Sequence, residues 1–195
     1  MNDRVIGMNA YHAEFLKSKD DLFSRLLSRD RLVEMYSWGV PNDEAIDNLV
    51  RHSPVIEIGA GNGYWASLVA KAGGTIEAYD ANPYKNKWMK SSSQGGYYNV
   101  RKGSVEVLLI PKYRNWTLFL CWPPFDDPFA FDAIASFKGD TFIYVGEERD
   151  GATGNDAFFD ELEDNWCFEE GVRIPQWFGM HDYFDVYNRR GMSCD

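Results

Sequence analysis

Three clusters of residues hold the chemical possibilities of this chain. The first is Gly59-Ala60-Gly61-Asn62-Gly63, with Asp80 beyond it. Glycine at alternate positions strips a turn of side chains, so a ligand can lie against bare backbone N–H groups beside a helix start. A carboxylate at the tip of the adjacent strand can accept hydrogen bonds from two ribose hydroxyls. The second cluster is Cys121-Trp122-Pro123-Pro124-Phe125-Asp126. Its two prolines fix φ and remove two N–H donors. That leaves the carbonyls of Trp122 and Pro123 as candidate acceptors aimed at a ligand. Phe125 offers a face for stacking, worth about 1–3 kcal/mol against a base. The third is the stretch 174–182, with Trp177, Phe178 and His181. His181 reads either as a general base near neutral pH or as a solvated loop histidine.

These clusters need elements to position them. Residues 55–58 form a short apolar run. Residues 64–72 then carry Trp65, Leu68, Val69 and Ala72 at helical spacing, and Gly73-Gly74 stops the helix. A second β-rich run, 75–79, delivers Asp80. Strand, glycine turn, helix and strand make one βαβ unit. Before it, 11–36 reads as one or two helices with Leu22, Leu26 and Leu27 on one face. The stretch 37–41 breaks that pattern, and Asn42 caps a helix over 43–51. Trp38 in the break suits a pocket wall or a core tryptophan. After Asp80, 84–90 is basic and 91–96 is small and polar, a loop. Strands are expected at 97–102, 115–121 and 140–145, with 105–110 a short apolar turn. Helices are expected at 129–137 and 156–164, the second capped by Asn155. The alternating stretches 166–174 and 182–188 read as a strand pair. Glu147 and Glu148 follow the fifth strand and either bind an amine or are solvated.

The composition narrows the field. A chain of 195 residues with 45% hydrophobic and 16% aromatic content suits one domain with a sizeable core. Twenty basic and 30 acidic residues give a net charge of −10, which disfavours binding to duplex DNA or long RNA. Three cysteines, Cys121, Cys167 and Cys194, show no metal spacing or disulfide framework, and a reduced cytoplasmic setting is the default. No apolar run is long enough for a membrane span. No metal site is expected.

The order Glu57-x-Gly59-x-Gly61-x-Gly63, followed by Asp80, resembles motif I and the next acidic strand end of class I S-adenosylmethionine-dependent methyltransferases. A nicotinamide fingerprint would place glycine where Tyr64 stands, and no P-loop lysine is present. The resemblance implies a Rossmann-like α/β fold. Its doubly wound seven-stranded sheet would end in an antiparallel hairpin, with a helical layer over 1–53 before a core over 54–195. It implies S-adenosylmethionine as cofactor and S-adenosylhomocysteine as product. Glu57, Gly59, Ala60, Gly61, Asn62, Gly63 and Trp65 would face its amino acid part and sugar. Asp80, Ala81 and Asn82 would hold the ribose, and Gly103, Ser104 and Cys121 would lie by the adenine and the strand-four end.

Trp122-Pro123-Pro124-Phe125 resembles the N/D-P-P-Y/F motif of amino-group methyltransferases acting on adenine, cytosine or glutamine amides. It departs at Trp122, whose side chain accepts no hydrogen bond. Either Asp126 or Asp127 replaces that acceptor, or the target is not an amide-like NH₂. Acceptor chemistry is accordingly expected from Trp122, Pro123, Phe125, Asp126 and His181, and acceptor binding from Trp38, Glu147 and Trp177. The expected function is methyl transfer to a small or planar amine. The alternatives are a nucleic-acid adenine or cytosine amino-methyltransferase, and an inactive cofactor-binding module.

Overall fold

A computed structural model describes residues 8–18, 22–84 and 96–191, with side chains of 22–26 excepted. The basic stretch 85–90, the polar loop at 91–95, Cys194 and the side chains of Leu22 and Leu26 lie outside these residues. The chain runs α1 (Ala10–Lys17), α2 (Leu22–Met35), α3 (Asp43–Arg51), β1 (Val55–Ile58), α4 (Tyr64–Lys71), β2 (Ile76–Asp80) and β3 (Val100–Lys102). Then follow β4 (Thr117–Cys121), α5 (Phe129–Ser136), β5 (Thr141–Gly146), α6 (Asp156–Asn165), β6 (Trp166–Val172) and β7 (Tyr183–Arg189). The sheet order is β3-β2-β1-β4-β5-β7-β6. β1 to β5 pair in parallel, and β7 lies antiparallel between β5 and β6.

Strand periodicity divides the core in two. Val55, Phe119, Ile143 and Val145 face α3 and α4, packing with Leu49, Trp65 and Val69. Their neighbours Ile56, Leu118, Leu120, Phe142 and Tyr144 face α5 and α6, packing with Ile134 and Phe158. Both faces of a parallel sheet are thereby covered. α1 and α2 join a third cluster, in which Tyr11, Phe15, Leu32 and Tyr36 pack on Tyr64 and Trp177.

Local chemistry sets the ends of these elements. Asn42 accepts the Ala45 N–H at 3.0 Å and Asn155 accepts the Phe158 N–H at 3.0 Å, two side-chain caps. α4 starts instead from Gly63 in the left-handed region, with φ at 77°. β3 is shorter than the alternation suggests. Tyr97 turns away to stack on Tyr36, and its N–H donates to the Asn62 carbonyl. A 3-10 turn at Pro111–Asn115 leads into β4. Cys121 is a free thiol and Cys167 is disulfide-bonded, which corrects the expectation that the cysteines stay as thiols.

A Cβ added at Gly63 would lie 2.7 Å from the Tyr98 Cβ and 2.8 Å from a Val100 methyl. Left-handed backbone costs a non-glycine residue about 1–2 kcal/mol, and overpacking costs about 1–3 kcal/mol more. Gly63→Ala is therefore expected to lower stability by roughly 2–5 kcal/mol. Urea unfolding monitored by circular dichroism would read this as a lower midpoint at unchanged slope.

Candidate functional site

The strand order reverses between β1 and β4, and a cavity of about 840 Å³ opens there at the carboxyl ends of β1, β2 and β4. This is where open parallel sheets bind ligands. Its cofactor-like end is built from the glycine turn. Gly59, Gly61 and Gly63 all have positive φ, at 78°, 57° and 77°, so the alternate spacing serves three left-handed corners. The Asp80 carboxylate clamps the turn. One oxygen accepts the Gly61 N–H at 2.9 Å and the other accepts the Asn82 N–H at 2.7 Å. Gly59 and Ala60 donate to the Tyr79 carbonyl at 2.8 and 3.0 Å. Asn62 faces inward, accepting the Tyr64 N–H and donating to the Met35 carbonyl at 2.9 Å. It thus bolts the turn to the end of α2.

Glu57 lies beneath this turn, 2% exposed, and lines the cavity. It accepts the Ala66 N–H, while its Oε2 has no partner among the described residues. Burial, and then repulsion from Asp80, pushes its pKa up to about 8. Ala60, Gly61, Trp65, Asp80, Ala81, Asn82, Ser104 and Cys121 also line the cavity. Gly63 and Gly103 do not, contrary to the sequence reading. Gly63 admits the side chains of Tyr98 and Val100, and a Cβ at Gly103 would lie 2.6 Å from Val107. The N–H groups of Gly59, Ala60, Gly61 and Gly63 all have protein acceptors, which corrects the expectation of bare donors. Ligands of the S-adenosylmethionine type fit instead a turn without bulky side chains, a carboxylate at the strand tip and a buried Glu57 oxygen with no partner among the described residues.

The far end of the cavity is aromatic. Trp38 and Trp122 stack with centroids 4.7 Å apart and planes 16° off parallel. Gly39 lets the α2–α3 break come this close, since a Cβ there would sit 2.8 Å from Val145 and 3.2 Å from the Cys121 sulfur. Trp122 itself has φ at 54°, a conformation costing a non-glycine residue roughly 1–3 kcal/mol. Its indole N–H donates to Asp182 at 3.0 Å. Phe125 stands 65% exposed at the rim. Tyr36, Phe129 and Met180 complete the walls. These three were not picked out in the sequence, because a tyrosine, phenylalanine or methionine at a helix end or in a loop has no distinguishing pattern.

Several expected site residues stand elsewhere. Trp177 is buried in the N-terminal cluster, donating from its indole to Tyr11 at 3.1 Å. Glu147 is neither solvated nor in the cavity. Its carboxylate accepts the His181 N–H and the Ala152 N–H, both at 2.7 Å, and so ties two loops together. His181 has a side chain 76% exposed and does not line the cavity. Asp126 is exposed, and Asp127 accepts the Phe129 N–H at 2.9 Å just before α5. The Pro123 carbonyl does not await a ligand either, because it accepts the Gly154 N–H at 3.3 Å. Pro123 and Trp122 do line the cavity, as expected, whereas the replacement acid is corrected: neither Asp126 nor Asp127 lines it.

An acid whose pKa rises on folding stabilises the fold at low pH and loses that contribution as pH climbs through its folded value. Glu57, raised from 4.5 to about 8, therefore makes the protein less stable between about pH 4.5 and 8. Glu57→Gln removes this slope. Its stability gain at pH 8 is expected to exceed that at pH 5 by at least about 1.4 kcal/mol, one pKa unit's equivalent. Urea unfolding of both proteins at the two pH values checks it.

The fold is similar to that of magnesium protoporphyrin IX methyltransferase from Synechocystis PCC 6803, solved with bound SAM. The TM-score is 0.51 at 12% identity, covering 94% of this chain and 99% of that one. It is also similar to 1,6-didemethyltoxoflavin-N1-methyltransferase from Burkholderia thailandensis, solved with 1,6-didemethyltoxoflavin and S-adenosylhomocysteine. There the TM-score is 0.51 at 15% identity, over 91% of this chain and 86% of that one. No protein-family model matches the chain, and no curated protein matches it. At these identities the likeness establishes the fold: an α/β sheet of Rossmann-like order with a C-terminal antiparallel hairpin.

Proposed function

We propose that this protein binds S-adenosylmethionine and directs methyl transfer to a small or planar amine-bearing acceptor. One observation carries the reading: a single cavity joins the glycine turn and Asp80 to the paired indoles of Trp38 and Trp122. Its volume of about 840 Å³ lies within the usual range of roughly 300–1,000 Å³ for small-molecule sites. Both fold neighbours were solved with a ligand of this class, which supports the choice of cofactor.

The bound cofactor supplies an electrophilic methyl group. The chain's own part is binding, orientation and exclusion of water. Asp80 offers its remaining lone pairs to ribose hydroxyls, and the unpartnered Glu57 oxygen suits the cofactor's ammonium. Ser104 stands at the adenine end. Trp38, Trp122 and Phe125 supply flat faces for the acceptor. No lysine, arginine or histidine lines the cavity among the described residues. A phosphate-bearing acceptor would find no cation on these walls, which favours an amine over nucleic acid and agrees with the net charge of −10.

A second reading is a cofactor-binding module without transfer. It is favoured by Trp122, whose indole N–H is committed to Asp182, and by the Pro123 carbonyl, which is already paired. Calorimetry with S-adenosylhomocysteine, then labelled-methyl transfer across small amines, proteins and nucleic acids, separates the two. The transferase binds and yields a labelled small product. Binding without any labelled product would support the module.

Asp80→Ala is expected to weaken S-adenosylhomocysteine binding at least about tenfold. It removes hydrogen bonds to a charged acceptor worth about 1.5–3 kcal/mol each and releases the Gly61 N–H. Phe125→Ala is expected to spare that affinity and slow transfer. An Asp80→Ala protein that is folded and binds as wild type would contradict the site.

A further inference from the structure

Asp182 belongs to the loop before β7 and is 2% exposed. It does not line the cavity. One carboxylate oxygen accepts the Trp122 indole N–H at 3.0 Å. The other has no hydrogen-bond partner among the described residues. A carboxylate kept from water with one oxygen unpaired is costly to fold around. Yet nothing in the sheet requires an acid here: the loop is already tied by Gln176, which donates to the Asp182 backbone carbonyl at 2.9 Å.

The one specific bond of this side chain goes to Trp122, and Trp122 needs holding. Its backbone is left-handed, and its ring lies 4.7 Å from Trp38 at an interplanar angle of 16°. The residue sits between β4 and two prolines, so its backbone is fixed on both sides while χ2 of the indole stays broad. The bond to Asp182 removes that freedom and sets the plane of the ring. The plane in turn sets the shape of the aromatic end of the cavity. A parallel indole pair leaves a flat wall, whereas a rotated Trp122 would present an edge.

We propose that Asp182 is a positioning residue that determines acceptor specificity. By holding the Trp122 indole parallel to Trp38, it shapes this end of the site for a flat heteroaromatic amine. The proposal rests on the reading of the cavity as an acceptor site. It assigns Asp182 no contact with acceptor or cofactor.

The test uses Asp182→Asn, which retains an oxygen for the indole N–H, Asp182→Ala, which does not, and Trp122→Phe, which keeps a ring without a donor. The probe is proflavine, a flat fluorescent diamine, titrated by fluorescence quenching. Calorimetry with S-adenosylhomocysteine runs beside it. Stacked indoles couple their strong far-ultraviolet transitions, so far-ultraviolet circular dichroism reports the pair directly. Wild type and Asp182→Asn should keep the exciton couplet and bind proflavine alike. Asp182→Ala should lose the couplet and bind proflavine about tenfold more weakly, equivalent to about 1.4 kcal/mol, while binding S-adenosylhomocysteine within about twofold of wild type. Trp122→Phe should lose the couplet too. A folded Asp182→Ala that keeps both couplet and proflavine affinity overturns the proposal. So does an Asp182→Asn as impaired as the alanine variant, or a wild type that binds S-adenosylhomocysteine but not proflavine. A wild type that fails to bind S-adenosylhomocysteine overturns the transferase reading instead, and the couplet and proflavine arms still decide the role of Asp182.

Discussion

The site depends on a carboxylate that crosses from one strand to the turn after another. Asp80 ends β2, and its oxygens accept the N–H groups of Gly61 and Asn82. The Tyr79 carbonyl beside it takes two more N–H groups, from Gly59 and Ala60. Four donors of two loops are therefore held by two consecutive residues. This holds Gly59 and Gly61 in their left-handed corners, while Asn62 ties the turn to Met35 and Tyr64. A second acid, Glu57, lies under the same turn. Its raised pKa follows from burial first and from the nearness of Asp80 second. Building two carboxyl groups into one strand-end corner is unfavourable in itself, and among the described residues it leaves one Glu57 oxygen with no hydrogen-bond partner.

The other end of the cavity follows a different logic. Its walls come from segments far apart in the chain: Tyr36 and Trp38 from the helical layer, Trp122 and Phe125 from the β4 end, Met180 from the hairpin loop. Close approach is made possible by glycine at 39 and enforced by hydrogen bonds. Glu147 draws in two loops and Asp182 sets a ring. Acids here act on the architecture of the walls rather than on a ligand.

The βαβ unit was legible because each of its signals is local. The apolar runs, the alternate glycines and the helix caps at Asn42 and Asn155 all act within a few residues, and the structure follows them closely. Asp80 acts across 19 residues, on Gly61, and was legible from its place at the end of the second strand of that unit. The errors share a cause. Trp177, Glu147, His181 and Asp126 were read from residue type and from their position after a strand, but their roles are decided by partners distant in sequence. Trp177 meets Tyr11 and Glu147 meets His181 and Ala152. Asp182 carries no signal in the sequence, because only the fold brings Trp122 to it. β3 is short because Tyr97 gives up the sheet for the ring of Tyr36, just past α2.

Those distant partners also bear on the order in which the chain is made. The bond from Trp177 to Tyr11 spans 166 residues, that from Asn42 to the Arg173 carbonyl spans 131, and that from Asn48 to Glu170 spans 122. Synthesis proceeds at about 5–20 residues per second. On a ribosome the first two helices would thus wait roughly 8–30 s before the tryptophan that seals them is even polymerised. During that interval the tyrosines and phenylalanine of the helical layer lack the indole that packs on them in the finished fold.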